Sequence, residues 1–227
     1  TWPSRSAVVT HDAQIVASGI TTVFDALSLG DVVHGSSRLK NLEDMIGALK
    51  LAEDEKVHRA NHYLHLRCEV SYAGVLELFD ALVDHPMVHL VSVMDHSPGQ
   101  RQFVKEDKYR EYYQGKYGFS DAQLAEFIRR QKEASAKYSA SSRSSIVSRC
   151  HLNDIPLASH DDATIAHADE ARENRMTVAE FPTTVEAAKA SHQHGLSVLM
   201  GAPNIVRGGS HSGNVAAKAL AENGVLD

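Results

Sequence analysis

Strand-like and helix-like segments alternate almost from end to end of this 227-residue chain, and that rhythm constrains the fold more than any single motif. Two parallel neighbours in a sheet need a crossover long enough to hold a helix, so the alternation predicts an α/β fold with a parallel sheet and right-handed connections. Strand signals fall near residues 20–25, 64–70, 88–94, 156–159, 177–180 and 197–200. The second is the clearest: Leu64, Leu66, Cys68 and Val70 alternate with His65, Arg67 and Glu69, which is the two-residue period of a strand with one polar face. Helical spacing marks residues 11–18, 42–56, 75–83, 164–175, 184–194 and 214–223, and Gly19, Gly195 and Gly224 stand where helices stop. The stretch 97–153 breaks the rhythm. It is polar, holds Tyr109, Tyr112, Tyr113 and Tyr117, and reads as a mainly helical insertion, with a helix over 120–138 that Ser120 caps.

Composition narrows the partners. Hydrophobic residues make up 43% and charged residues 23%, as in an ordinary globular chain. A net charge of −6 supplies no basic footprint for nucleic acid, and no apolar run is long enough to span a membrane. Two cysteines, Cys68 and Cys150, are too few for a disulfide framework and, with no signal-peptide pattern at the start, predict a cytoplasmic setting. Histidine stands out, with 14 copies.

In parallel α/β folds, sites form at the carboxyl ends of the strands. Those ends carry Glu69, Asp95-His96, His160-Asp161-Asp162 and Glu180. Imidazole with carboxylate suits Zn²⁺, Mn²⁺ or Fe²⁺. Taken singly, each such residue is as well explained as a cap or hydrogen-bonding group, and Asp162 is expected to cap the helix that follows it. A Gly-rich segment, Arg207-Gly-Gly-Ser-His-Ser-Gly213, precedes the last helix and suits a phosphate, while a plain solvent loop is the competing reading. Arg67, inside a strand, either neutralises Glu69 or faces an anionic ligand. The Tyr-rich segment 108–117 reads as a lid over a polyanionic small molecule or as an amphipathic helix packed on the sheet. Cys68 is expected to pack among helices, with no catalytic role.

Several long stretches together resemble one family. They are His65-Leu-Arg-Cys-Glu69, 94–103 (MDHSPGQRQF), 108–117 (KYREYYQGKY), 157–164 (LASHDDAT), 179–184 (AEFPTT) and 199–214 (LMGAPNIVRGGSHSGN). The family is the α-D-ribose 1-methylphosphonate 5-triphosphate diphosphatases of the carbon–phosphorus lyase pathway, a branch of the amidohydrolase superfamily. The resemblance implies a metal-dependent TIM-type (β/α)8 barrel that hydrolyses a ribosyl triphosphate to the 5-phosphate and pyrophosphate. It implies Glu69 as bridging carboxylate and His96 and His160 as metal-binding imidazoles, with Asp95, Asp161 and Glu180 behind them as candidates for metal or substrate. One or two divalent ions, Zn, Mn or Mg, are expected. Arg67, Arg101, Arg207, Gly208, Gly209, Ser210, His211 and Ser212 are assigned to the phosphate chain on charge and position. Against the family pattern, the chain begins after the first strand and its metal-binding motif, and stops before the last strand and its activating Asp. Residues 1–227 are therefore expected to form an incomplete barrel domain of about six of eight units, with weak or no hydrolysis alone and homo-oligomerisation left open. Two other readings stay in view: hydrolysis of a cyclic amide or N-acyl substrate, and a non-catalytic fragment that binds anions or a partner chain.

Overall fold

The structure is a computed structural model and describes residues 3–31, 41–103, 106–210 and 213–227. Six parallel strands lie in sequence order: β1 Thr22–Leu29, β2 Asn61–Glu69, β3 Val88–Met94, β4 Leu157–His160, β5 Val178–Glu180 and β6 Ser197–Leu199. The order never reverses, so this sheet lacks the switch point of a doubly wound fold. Helices occupy the connections: α1 Ser4–Ala17 precedes β1, α2 Leu42–Asp54 follows it and α3 Val75–Asp80 follows β2. Between β3 and β4 run a 3₁₀ turn Arg101–Phe103, α4 Glu106–Tyr117, α5 Asp121–Ala134, a π-helical turn Ser135–Ser139 and α6 Ala140–Leu152. Then come α7 Ile165–Glu173, α8 Val185–Gln193, α9 Ala202–Arg207 and α10 Ala217–Glu222.

The two faces of the sheet divide the labour. Leu27, Leu29, Leu64, Leu66, Cys68, Val91, Val93 and Leu157 are buried in one apolar cluster with Val75, Phe79, Ile146, Ala188 and Leu220 from the helices. Removing this much apolar surface from water is the main stabilising term of the fold. Cys68 is buried there as a free thiol, as expected, and burial pushes its pKa well up. The insertion builds a second, smaller core from Phe103, Tyr109, Tyr113, Leu124 and Ile128. Ser120 caps α5 through a full capping box with Gln123.

The other face is set by register. Glu69 pairs with Met94, His160 with Glu180, and Glu180 with Leu199. Ser92 pairs with Ala158, so Met94 and His160, two residues on, share the same level. Glu69, His160 and Glu180 therefore stand at one height on one face, at the carboxyl ends of their strands.

Several local expectations need correction. β1 continues to Leu29 rather than ending near residue 25, because its pairing with β2 carries on to Leu29↔Cys68 and buries Leu27 and Leu29. The expected helix 120–138 is α-helical only to Ala134, where a π-helical turn lets both Ser135 and Ser139 donate to Asp95. Asp162 does not cap α7. Thr164 does, accepting from the His167 amide at 3.3 Å, while Asp162 turns to Arg101. The segment after Met200 is not all loop: Ala202–Arg207 is a short helix with Pro203 in its first turn, ended by Gly208 at φ +75°. The last helix starts at Ala217 rather than residue 214 and has six residues, so the helix-dipole argument for a phosphate there falls away.

Candidate metal centre and the clefts around it

The strand ends build the site. β4 presents His160 and then Asp161, and β5 presents Glu180 and then Phe181. Asp161 and Phe181 each take φ +56°, a conformation that costs a side-chain-bearing residue about 1–2 kcal/mol. The bend is fixed from the neighbouring strand, since the Asp161 amide donates to Glu180 O at 2.9 Å and the Phe181 amide to Leu199 O at 3.0 Å. It turns Asp161 back over the imidazoles. The Phe181 ring meets His160 edge-on, with centroids 5.5 Å apart.

His96 and His160 are held in the same manner. His96 Nδ1 donates to Glu69 Oε2 at 2.5 Å, and His160 Nδ1 to Glu180 Oε2 at 3.2 Å. Both Nε2 atoms then face Asp161 Oδ2, at 3.6 Å and 3.4 Å respectively. Three ligand atoms, one from each of His96, His160 and Asp161, lie within 4.8 Å of one another, the one such cluster among the described residues. A carboxylate on the far nitrogen of a metal-binding imidazole fixes its tautomer and raises its basicity. The donor set fits a divalent ion of the N/O-liganded kind.

The electrostatics agree. Burial disfavours a charge on His96, but Glu69 and Asp161 outweigh it and push the imidazole up to about 10. Burial likewise works against ionised Asp161, yet His160, His96 and Arg67 hold it below the ordinary carboxylate range. Glu180 follows the same logic, lowered by His160, His65 and Arg67 against its burial. A site that stabilises a proton this strongly between buried carboxylates is one that stabilises a cation.

The expected residues are thus sorted differently from the sequence-based assignment. His96 and His160 stand together as expected, but Asp161 completes the group, while Glu69 stands behind His96, braced by Ser71 Oγ at 2.8 Å and the His96 amide at 3.1 Å. Glu180 stands behind His160. Asp95 is turned away, accepting from Ser97 N, Ser135 Oγ and Ser139 Oγ.

Two clefts open from this centre. The larger, about 320 Å³, is lined by Arg67, His96, His160, Asp161 and the α9 segment with Arg207, Gly209 and Ser210. The smaller, about 190 Å³, runs under α4 and is lined by Met94, Phe103, Tyr112, Lys116 and Tyr117. Arg67, His96 and Gln102 border both. The Arg67 Nη2 donates to His160 Nε2 at 3.2 Å, and its buried Nε has no partner. At the mouth of the smaller cleft Gly30 takes φ +104°, and a Cβ there would meet Tyr72 Cβ at 2.8 Å, so only glycine fits.

Arg101 is the clearest correction. It does not face a cleft: its guanidinium is buried and pairs with Asp162 and Glu170, and Glu170 also pairs with Arg143. With its donors committed to carboxylates, it is not available to a phosphate chain. Gly208 terminates α9 rather than lining the cleft. His211 and Ser212 lie outside the described residues. In the Tyr-rich helix Tyr109 and Tyr113 pack in the insertion's own core rather than on the sheet, while Tyr112, Lys116 and Tyr117 line the smaller cleft. Gln102, Phe181 and Asn204 escaped sequence reasoning. Asn204 accepts from the Ala217 amide and donates to Val215 O, stapling the loop around the α9 segment. A search of strand-end loops for polar residues beyond His and acids would have found Gln102.

Among the described residues no helix is long and apolar enough to cross a membrane. No protein-family model matches the chain, and no solved structure does. Among curated proteins it is similar to the Escherichia coli (strain K12) alpha-D-ribose 1-methylphosphonate 5-triphosphate diphosphatase, with 57% identity over 226 residues. The match takes in 100% of this chain and 60% of that protein's length. The match runs through the strand-end segments just described and supports placing the chain in the family of that diphosphatase, as a stretch spanning about three-fifths of the relative.

Proposed function

We propose that this chain provides the metal-binding and substrate-binding face of a divalent-metal-dependent hydrolase. Its reaction would cleave α-D-ribose 1-methylphosphonate 5-triphosphate to the 5-phosphate and pyrophosphate. The observation that carries the reading is the pair of carboxylate-backed imidazoles turned toward Asp161 at the strand ends. Beside it lies a cleft with Arg67 and Arg207 for a phosphate chain. The substrate in this reading comes from kinship with a protein of which this chain spans 60%.

His96, His160 and Asp161 would hold the ion, of Zn, Mn or Mg type. When bound, such an ion supplies Lewis-acid stabilisation of charge on phosphoryl oxygens and lowers the pKa of water. With an ion in place of the proton on His96 Nε2, Glu69 and Glu180 would hold Nδ1–H on both imidazoles and leave the Nε2 lone pairs to the ion. Arg67 brings a fixed positive charge to the border of both clefts, where no carboxylate lies within ion-pair distance of it among the described residues. In a low-dielectric cleft such a charge favours negative charge moving onto a leaving pyrophosphate. Arg207 and Ser210 extend the anion-binding wall.

Residues 1–227 read as part of one barrel domain of the amidohydrolase kind, with 97–153 inserted. Sequential, unreversed parallel strands support the barrel. Free, buried Cys68 and Cys150 support a cytoplasmic setting.

The test is His160→Ala in a protein spanning the relative's full length, scored by bound metal per chain and by pyrophosphate release. Loss of both is expected. Normal metal content with normal turnover would refute the assignment.

A further inference from the structure

Resting on that diphosphatase reading, we infer that the smaller cleft beneath α4 binds the 1-methylphosphonate end of the substrate. Lys116 takes its single negative charge, and the wall of Met94, Phe103, Tyr112 and Tyr117 takes its methyl group. The triphosphate lies on the other side of Arg67, in the larger cleft.

The argument starts from what each cleft offers. A phosphonate monoester bears one ionisable oxygen and one apolar methyl, whereas a triphosphate is a chain of strongly acidic groups. The larger cleft has about 320 Å³, two arginines, and the Gly209–Ser210 backbone beside Arg207. The smaller has about 190 Å³, one ammonium of its own and, within an otherwise polar lining, the side chains of Met94, Phe103, Tyr112 and Tyr117. Size and the number of cationic groups thus match the two ends of the ligand in one orientation.

Lys116 is held ready for that task. Its Nζ donates to Tyr112 Oη at 3.2 Å and lies 5.2 Å and 5.3 Å from the ring centroids of Tyr112 and Tyr117. No carboxylate lies within ion-pair distance of it among the described residues, unlike Lys108 and Lys132, which pair with Glu111 and Glu106. Two acids border the cleft, and neither is free: Glu69 is engaged by Ser71 and His96, and Asp31 also has partners. The aromatic wall is fixed from behind by the packing of Phe103 with Tyr109 and Tyr113. Arg67, His96 and Gln102 border both clefts, so a ribose bridging them would lie beside the metal centre, with its 5-triphosphate against His160 and Asp161 in the larger cleft.

The test compares two substrates, α-D-ribose 1-methylphosphonate 5-triphosphate and α-D-ribose 5-triphosphate, which lacks the phosphonate. Lys116→Met should raise KM for the first by roughly tenfold to a hundredfold, the range of a charge-assisted hydrogen bond. Its kcat should hold, and KM for the second should be unchanged. Lys116→Arg should recover most of the loss. Lys116 is exposed, so an unchanged melting temperature should accompany the variant. Equal effects on both substrates, or none on either, would overturn the inference while leaving the diphosphatase reading intact. A wild-type protein spanning the relative's full length that cleaves neither compound would overturn both.

Discussion

Replacing Arg101 by Met removes both hydrogen-bonding edges of a guanidinium that lines neither of the two clefts. Asp162 is 1% exposed, its Oδ1 accepts from Arg101, and its Oδ2 has no other partner. The substitution therefore strands a buried carboxylate. Glu170 suffers less, being partly exposed and still paired with Arg143. Breaking one partner of a buried pair costs about 3–5 kcal/mol, a large share of the roughly 5–15 kcal/mol that holds a domain folded. For a chain of this size that lowers the melting temperature by roughly 6–20 °C. Urea denaturation gives the free energy, and the double variant Arg101→Met/Asp162→Asn gives the coupling. Removing both charges should return about 2 kcal/mol or more, because a neutral amide is far cheaper to bury than a carboxylate. A loss under about 1 kcal/mol, or strict additivity in the double variant, would refute the clamp. If Arg101 instead touched a phosphate chain, the variant would show a raised KM on a fully stable protein.

Two other outcomes follow from the same geometry. Glu69→Gln should weaken metal affinity about tenfold to a hundredfold without removing an equivalent of metal, as measured by Co²⁺ or Zn²⁺ titration; loss of the whole equivalent would return Glu69 to the ligand set. His65 is buried against Ser92, and burial, only partly offset by Glu180, pushes its pKa down to about 4 from 6.5. Its folded value lies below its unfolded one, so its contribution is complete above about pH 6.5 and is lost as pH falls toward 4, amounting to on the order of 3 kcal/mol. His65→Gln should flatten the urea-midpoint slope across that window, and an identical slope in both proteins would contradict the burial argument.

The coarse fold was written in local patterns. Strand alternation over residues 64–70, glycines at helix ends and the Ser120 capping box depend on neighbours within a few residues, and periodicity reports such neighbours directly. The strand ends were legible as the place of the site for the same reason. Roles within the site were not. Whether Glu69 meets a metal or an imidazole turns on contacts 27 residues apart in sequence, and Arg101 reaches Asp162 across 61 positions. An arginine beside a strand end has the same charge whether it faces a phosphate or a buried carboxylate, so composition cannot separate the two.

By itself, then, the sequence determined a parallel α/β alternation, the polar face of β2 and the set of histidines and acids at the strand ends, while the unreversed strand order came from the tertiary structure. Only the tertiary structure decided that Glu69 and Glu180 back the imidazoles while Asp161 stands before them. It did so through the register that levels Glu69, His160 and Glu180 and the left-handed bend that turns Asp161 over the face. The physical reason is that side-chain identity sets what a group can bind, whereas burial and the nearest long-range partner set what it does bind.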